Sequence, residues 1–102
     1  MASGTLGQAS LAATTNTTVY TAASTPTTFN VSMTNTTGLT IAVNLAIASS
    51  ATPVAGEYIE FQTVLPPNGV LERGGLVCTA GKRVVAYATL AGVNVNVYGY
   101  EG

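Results

Sequence analysis

LTIAVNLAI, the sequence of residues 39–47, places a large apolar side chain at every second position. These large residues are Leu39, Ile41, Val43, Leu45 and Ile47. Small or polar residues separate them, so an extended backbone would turn all the large side chains to one face. A shift of one residue in strand pairing would turn the whole set towards water, which specifies the register strongly. The segment therefore predicts a β-strand with one buried face.

A second alternating segment lies just before this one. Phe29, Val31 and Met33 alternate with polar residues and predict another half-buried strand. The intervening residues, Asn35–Gly38, have the composition of a hairpin turn. We therefore expect the two segments to pair as an antiparallel hairpin.

Strand patterns recur along the rest of the chain, and no segment has convincing helical periodicity. Residues such as Pro66, Pro67 and Gly69 mark turns between them. The predicted strands cover residues 17–21, 28–34, 39–47, 58–62, 70–72, 76–79, 83–89 and 93–97. Seven to eight short strands at this spacing predict an all-β fold, a single antiparallel β-sandwich of jelly-roll type, over residues 17–102.

The N-terminal residues, 1–16, are small, polar and weakly patterned. They could be a frayed terminus, a first edge strand, or an arm that adds a strand to a neighbouring subunit. Residues 1–5 contain no basic residue and no apolar run, so we expect no signal peptide. The most apolar stretch, residues 39–48, is too short to span a bilayer and contains Asn44, so we expect no membrane insertion.

The composition is unusually poor in charge for a folded chain. Of the 102 residues, 47% are apolar and only 7% are charged, and 17 are threonine, whereas an ordinary soluble domain has about 25% charged residues. The basic residues are Arg73, Lys82 and Arg83, too few for a convincing nucleic-acid surface. A net charge of −1 leaves little repulsion between copies, so self-association is expected.

The sequence contains neither His nor Asp, which excludes Ser-His-Asp and Cys-His catalytic groups and imidazole metal sites. Glu57 and Glu60 would lie on opposite faces of a strand, so they do not form a carboxylate pair there. Glu72 adjoins Arg73, and a local ion pair or a subunit contact explains the two better than catalysis. Cys78, the single cysteine, lies in an apolar stretch and is expected to be buried. We expect no enzymatic activity, no cofactor and no metal.

Several short stretches resemble small virion proteins of tailed bacteriophages, including phages of cyanobacteria and other aquatic hosts. They are Leu6–Gln8, Thr18–Thr21, Tyr58–Phe61, Gly69–Arg73, Gly75–Leu76, Ala80–Gly81 and Val95–Gly99. The similarity runs along most of the chain. It implies a structural role on the exterior of the virion, after synthesis in the cytoplasm of the bacterial host.

This resemblance leads to two hypotheses. The first is a capsid decoration (cement) protein, a homotrimer that binds the major capsid protein or other virion proteins through candidate contacts at Leu6, Gln8, Glu72 and Arg73. The alternative is a tail-fibre, collar or baseplate module that recognises host-surface glycan through Tyr98 and Tyr100. Neither hypothesis requires nucleic acid or a membrane as a partner.

Overall fold

The computed structural model describes residues 3–102, which form eight β-strands and one short 3₁₀ turn. The predicted all-β class is confirmed. The strands are β1 (Ser3–Ser10), β2 (Thr17–Thr21), β3 (Thr27–Asn35), β4 (Ile41–Ala48), β5 (Tyr58–Leu65), β6 (Val70–Cys78), β7 (Arg83–Ala88) and β8 (Val93–Glu101), and the 3₁₀ turn is Ala55–Glu57. No helix within residues 3–102 has the length and apolar character needed to cross a membrane.

The strands form two antiparallel four-stranded sheets, with the orders β1-β8-β3-β6 and β2-β7-β4-β5. The chain folds back on itself as one long antiparallel ribbon. Its four strand pairs are β1 with β8, β2 with β7, β3 with β6, and β4 with β5. The β4–β5 connection lies at the tip of that ribbon. Pairing of β3 with β8 and of β4 with β7 then joins the ribbon into two sheets.

The core lies between the sheets and is built from the alternating residues. Ile41, Val43 and Leu45 have no exposed surface, and Ile47 is partly buried against the same cluster. Burying each such side chain contributes roughly 1.5–3 kcal/mol relative to leaving it in water. Leu39 does not belong to this face, because β4 begins at Ile41 and the Leu39 side chain is 62% exposed.

The predicted hairpin between the two alternating segments is wrong. β3 belongs to one sheet and β4 to the other, so residues 36–40 cross between sheets instead of making a tight turn within one. This arrangement lets Phe29, Val31 and Met33 share one core with the apolar residues of β4. The two apolar faces are buried against each other, which side-by-side pairing in one sheet would not achieve.

The buried side chain of Asn35 organises this crossing. Its amide nitrogen donates to the carbonyl oxygens of Leu39 and Pro66, at 2.7 Å and 3.1 Å. Its amide oxygen accepts from the backbone N–H and the hydroxyl of Thr37, at 2.9 Å and 2.7 Å. The amide therefore satisfies its polar atoms while ordering the start of the crossing.

Each edge strand of the two sheets has an irregular register, whereas the central pairs β3–β8 and β4–β7 are regular. β6 is one strand with its irregularity at Gly74-Gly75, so the prediction of two separate strands at 70–72 and 76–79 is wrong. Bulges of this kind disfavour pairing of an exposed edge with another chain.

Residues 3–10 of the N-terminal segment form β1, which pairs with β8 of the same chain. Residues 1 and 2 of that segment lie outside the described part of the chain. Gly7 lies at the bulge of β1, where a Cβ atom would come within 2.3 Å of the Val19 carbonyl oxygen in β2. The absence of a side chain here lets the edges of the two sheets approach closely.

Candidate functional site

The outer face of the β1-β8-β3-β6 sheet carries mainly uncharged polar side chains, in rows of directly opposed residues. We call it the amide face. It comprises Ser3, Thr5, Gln8, Ser10, Thr28, Asn30, Ser32, Thr34, Val70, Glu72, Val77, Asn94, Asn96, Tyr98 and Tyr100. Opposed residues of neighbouring strands lie on the same side of a sheet, which brings these four strands' outward side chains together.

Hydrogen bonds between strands order one end of the amide face. Gln8 donates from its amide nitrogen to the Asn96 amide oxygen at 2.6 Å, and the Ser10 hydroxyl donates to the Asn94 amide oxygen at 2.7 Å. These residues line a shallow depression of about 330 Å³ between β1 and β8. The surface is thus pre-ordered without charged groups at this end.

Four of the predicted site residues lie on the amide face. Gln8 and Glu72 belong to the same row, which runs through Asn96 and Ser32. Tyr98 and Tyr100 are 38% and 57% exposed in the two following rows. The fold thus places candidates from both hypotheses on one surface.

Leu6 and Arg73 lie elsewhere. Leu6 packs against the core from the bulge of β1. Arg73 forms an ion pair with Glu60 of β5, so the local Glu72–Arg73 ion pair, one of the two interpretations of these residues, is wrong. Successive residues of a strand point to opposite faces, which directs Glu72 outwards and Arg73 towards the other sheet.

The Glu60–Arg73 pair joins the two sheets along the side formed by β5 and β6. A hydrogen bond of 2.7 Å from the Thr63 hydroxyl, together with the Arg73 guanidinium, holds the pKa of the Glu60 carboxyl below its usual value. The side chains of Glu60, Thr63 and Arg73 therefore help to hold the two sheets together.

Local contacts also shift the pKa values of two further ionisable groups, Cys78 and Glu57. Cys78 is buried at the end of β6, as predicted, and burial raises the pKa of its thiol. Backbone N–H groups of Val54 and Ser49 donate to the Glu57 carboxylate, each at 3.0 Å, and lower its pKa. The Glu57 carboxylate orders the loop before β5.

A second surface, on the outer face of the β2-β7-β4-β5 sheet, contains a cleft of about 310 Å³ that we call the tyrosine cleft. Its lining residues are Asn16, Ala42, Asn44, Tyr58, Gln62, Tyr87 and Thr89. The small side chain of Ala42 on central strand β4 leaves space there, and tyrosines from β5 and β7 contribute to the walls. No charged residue lines the cleft.

The bulge of β5 helps to form this cleft. The Asn44 amide oxygen accepts a hydrogen bond from the Gln62 backbone N–H at 2.7 Å. Gln62 has a φ of 51°, in the left-handed region that non-glycine residues seldom adopt. The bulge gives Gln62 its position beside the cleft, a common effect of bulges near binding sites.

The loop before β2 supplies another part of the lining. Thr14 donates from its backbone N–H to the Ala88 carbonyl at 2.8 Å, which holds the loop against the end of β7. This contact places Asn16 at the cleft, which Thr89 also lines. The Thr89 hydroxyl accepts from the Ala42 N–H at 3.2 Å, which orients its side chain.

Sequence reasoning did not identify the tyrosine cleft. The sequence offered two signals for it. Asn44 is a polar residue on the outward side of the strand with the clearest alternation, and Tyr58 and Tyr87 lie in two other predicted strands. Alternation shows which way each side chain points but not which strands are neighbours. The cleft depends on the adjacency of β5, β4 and β7, which residues distant in the chain establish.

Comparisons of the chain with protein-family models, curated proteins and solved structures gave no match.

Proposed function

We propose that this protein is a structural protein of a bacteriophage virion, most specifically a decoration protein bound to the outside of the head. The resemblance of its short sequence stretches to phage virion proteins motivates the phage assignment. The structural observation that carries the proposal is the strand order of the two sheets. In this role the protein stabilises the particle through protein–protein contacts and performs no chemistry.

We interpret that strand order as a jelly roll. An antiparallel ribbon with β4–β5 at its tip, rolled so that β8 meets β3 and β7 meets β4, produces both sheets. Jelly rolls of eight strands are used in viral capsid proteins and in lectins. The fold alone does not distinguish these uses, so the surfaces must be considered.

The amide face is the surface that we assign to attachment on the particle. Glu72 is the only charged residue in it, and Tyr98, Tyr100 and Val77 expose apolar area. Depletion of charge and enrichment in tyrosine are typical of the central part of protein–protein interfaces. Because the edge strands are irregular, we expect contact through this face and not strand addition at an edge.

The test compares two matched substitutions in the phage that encodes the protein. Val77 and Val64 both lie on edge strands and are 58% and 61% exposed, but only Val77 belongs to the amide face. We expect Val77→Glu to reduce the amount of protein on purified heads by about tenfold or more, because a carboxylate would be desolvated at the contact. Val64→Glu should bind as the wild type does.

Electron cryomicroscopy of particles with and without the protein tests its position. The expected result is additional density on the head exterior and release of the genome at lower temperature when the protein is absent. Density on the tail, or heads of unchanged stability, would contradict the decoration proposal. A homotrimer predicts a mass in light scattering three times the 10.3 kDa of one chain, and a dilution-resistant monomer would contradict that part.

The second candidate is a tail-fibre, collar or baseplate module that recognises host glycan through Tyr98 and Tyr100. The exposure of both rings on one face supports it. Loss of binding to host cells in Tyr98→Ala and Tyr100→Ala variants that still attach to the particle would favour this candidate over decoration.

A further inference from the structure

We propose that the tyrosine cleft binds a neutral carbohydrate. The cleft lies on the β2-β7-β4-β5 sheet, opposite the amide face, and the inference does not depend on the proposed virion role. Its volume of about 310 Å³ lies within the range of small-ligand sites. Aromatic rings, amides and a hydroxyl line it together.

The hydrogen-bonding groups of the cleft suit a ligand with many hydroxyls. Within residues 3–102, the side-chain amides of Asn16 and Gln62 and the hydroxyls of Tyr58 and Tyr87 have no hydrogen bond to protein. An amide both donates and accepts, as a sugar hydroxyl does, so the two can pair in either direction.

One wall residue is held in place by the backbone. The Asn44 amide oxygen is engaged by the Gln62 N–H, which orients the side chain and leaves its NH₂ group as a donor. A binding group that the fold already orders loses less freedom when a ligand binds.

An apolar hollow shares Tyr58 with the cleft as a lining residue. Ala55, Tyr58 and Phe61 line this second space of about 540 Å³. The rings of Tyr58 and Phe61 meet edge to face, with centroids 5.0 Å apart and planes at 67°. Sugars have apolar C–H faces besides their hydroxyls, and aromatic rings pack against such faces. The hollow would thus accommodate a neighbouring sugar unit or an acetamido methyl group.

The absence of charge in the lining selects among ligand classes. Single-stranded nucleic acid needs a positively charged groove as well as aromatic rings, and no cation lines the cleft. An anionic sugar would likewise find no opposite charge. A purely apolar ligand would leave the amides of Asn16 and Gln62 and the NH₂ group of Asn44 without partners. A neutral oligosaccharide satisfies both the amides and the rings.

The experiment uses the intact protein and NMR titration with neutral oligosaccharides of glucose, mannose and N-acetylglucosamine. We expect at least one to bind with a Kd of about 1 mM or tighter. The side-chain NH₂ signals of Asn44 and Gln62 should shift, while those of Gln8 and Asn96 on the amide face should not. This readout requires no variant.

Matched tyrosine variants provide the second test. We expect Tyr87→Ala to weaken binding by about tenfold or more and Tyr98→Ala to change it by less than about twofold. Tyr87→Phe keeps the ring and should bind more tightly than Tyr87→Ala, and the NMR spectrum of Tyr87→Ala recorded in the same titration shows whether that variant is folded. No binding by any of these oligosaccharides, binding that depends on Tyr98, or preferential binding of the anionic polysaccharide heparin would overturn the proposal. None of these outcomes depends on attachment to a virion.

Discussion

Asn35 shows how one polar side chain can direct the path of the chain. Its position at the end of an alternating strand suggests a residue of a surface turn, yet its side chain has no exposed surface. Its NH₂ group donates to backbone carbonyls of two different loops, and its oxygen accepts from Thr37. These bonds connect the crossing after β3 to the turn after β5.

The residue-scale prediction is that Asn35→Asp lowers the free energy of unfolding by about 2–4 kcal/mol. A buried carboxylate would lose the two amide donors and face the carbonyl oxygens of Leu39 and Pro66. Urea denaturation at pH 7 measures the effect. Asn94→Asp is the control, because the Asn94 oxygen only accepts from Ser10 and should cost less than about 0.5 kcal/mol. Equal losses in the two variants would contradict this account of Asn35.

At the scale of elements, the central pair β3–β8 differs from the edge strands in its close, regular register. Gly99 lies opposite Phe29 in this pair. A Cβ atom at Gly99 would come within 2.1 Å of the Thr28 carbonyl oxygen, and its φ of 157° lies at the limit of the positive region. The lack of a side chain is therefore required for the strands to approach here.

We predict that Gly99→Ala lowers the midpoint of thermal unfolding by at least about 10 °C, because strands β3 and β8 would have to separate. Circular dichroism on heating measures this change. In Gly38→Ala the added methyl group meets no atom within 4 Å, so its midpoint should remain within about 3 °C of the wild type. A small effect at Gly99 would mean that the two strands can move apart at little cost.

At the scale of the whole molecule, polar contacts join the two sheets on both sides of the core. Glu60 and Arg73 connect β5 to β6 on one side. On the other, the Tyr20 hydroxyl of β2 donates to the Glu101 carboxylate of β8. Protonation of Glu60 at acidic pH would weaken the first contact, and ionisation of Tyr20 at alkaline pH would weaken the second. The link between the sheets therefore depends on pH in two separate ranges.

We predict that the contact between Tyr20 and Glu101 loses its contribution to stability at alkaline pH. Burial, and then the hydrogen bond to the Glu101 carboxylate, raise the pKa of Tyr20 from 10.0 to about 12. Since the folded-state pKa is the higher one, this contribution to stability is complete below pH 10 and is lost as the pH rises towards about 12. Urea denaturation of the wild type from pH 9 to 12 should show this fall.

Tyr20→Phe removes the ionising hydroxyl and is the control for that measurement. It should be less stable than the wild type at pH 9, and the difference should shrink as the pH approaches about 12. A difference independent of pH would show that the Tyr20 hydroxyl does not contribute through its protonation state.

The sequence by itself determined the strand class and most inward faces of the chain. Alternation at Phe29–Met33 and Ile41–Ile47 is a local property, since successive side chains of a strand point to opposite sides wherever the strand lies. The burial of Cys78 followed from its apolar neighbours in the same way. Local patterns were sufficient for these features because they require no knowledge of the partner strand.

Only the tertiary structure decided how the strands are arranged. It placed β3 and β4 in different sheets, paired Arg73 with Glu60 and brought Tyr58, Asn44 and Tyr87 around one cleft. Each of these outcomes joins residues separated by long stretches of chain, and the burial of two apolar faces against each other determines them collectively. The sequence pattern is the same whichever strands become neighbours, so it predicts the faces but not the surfaces that they build together.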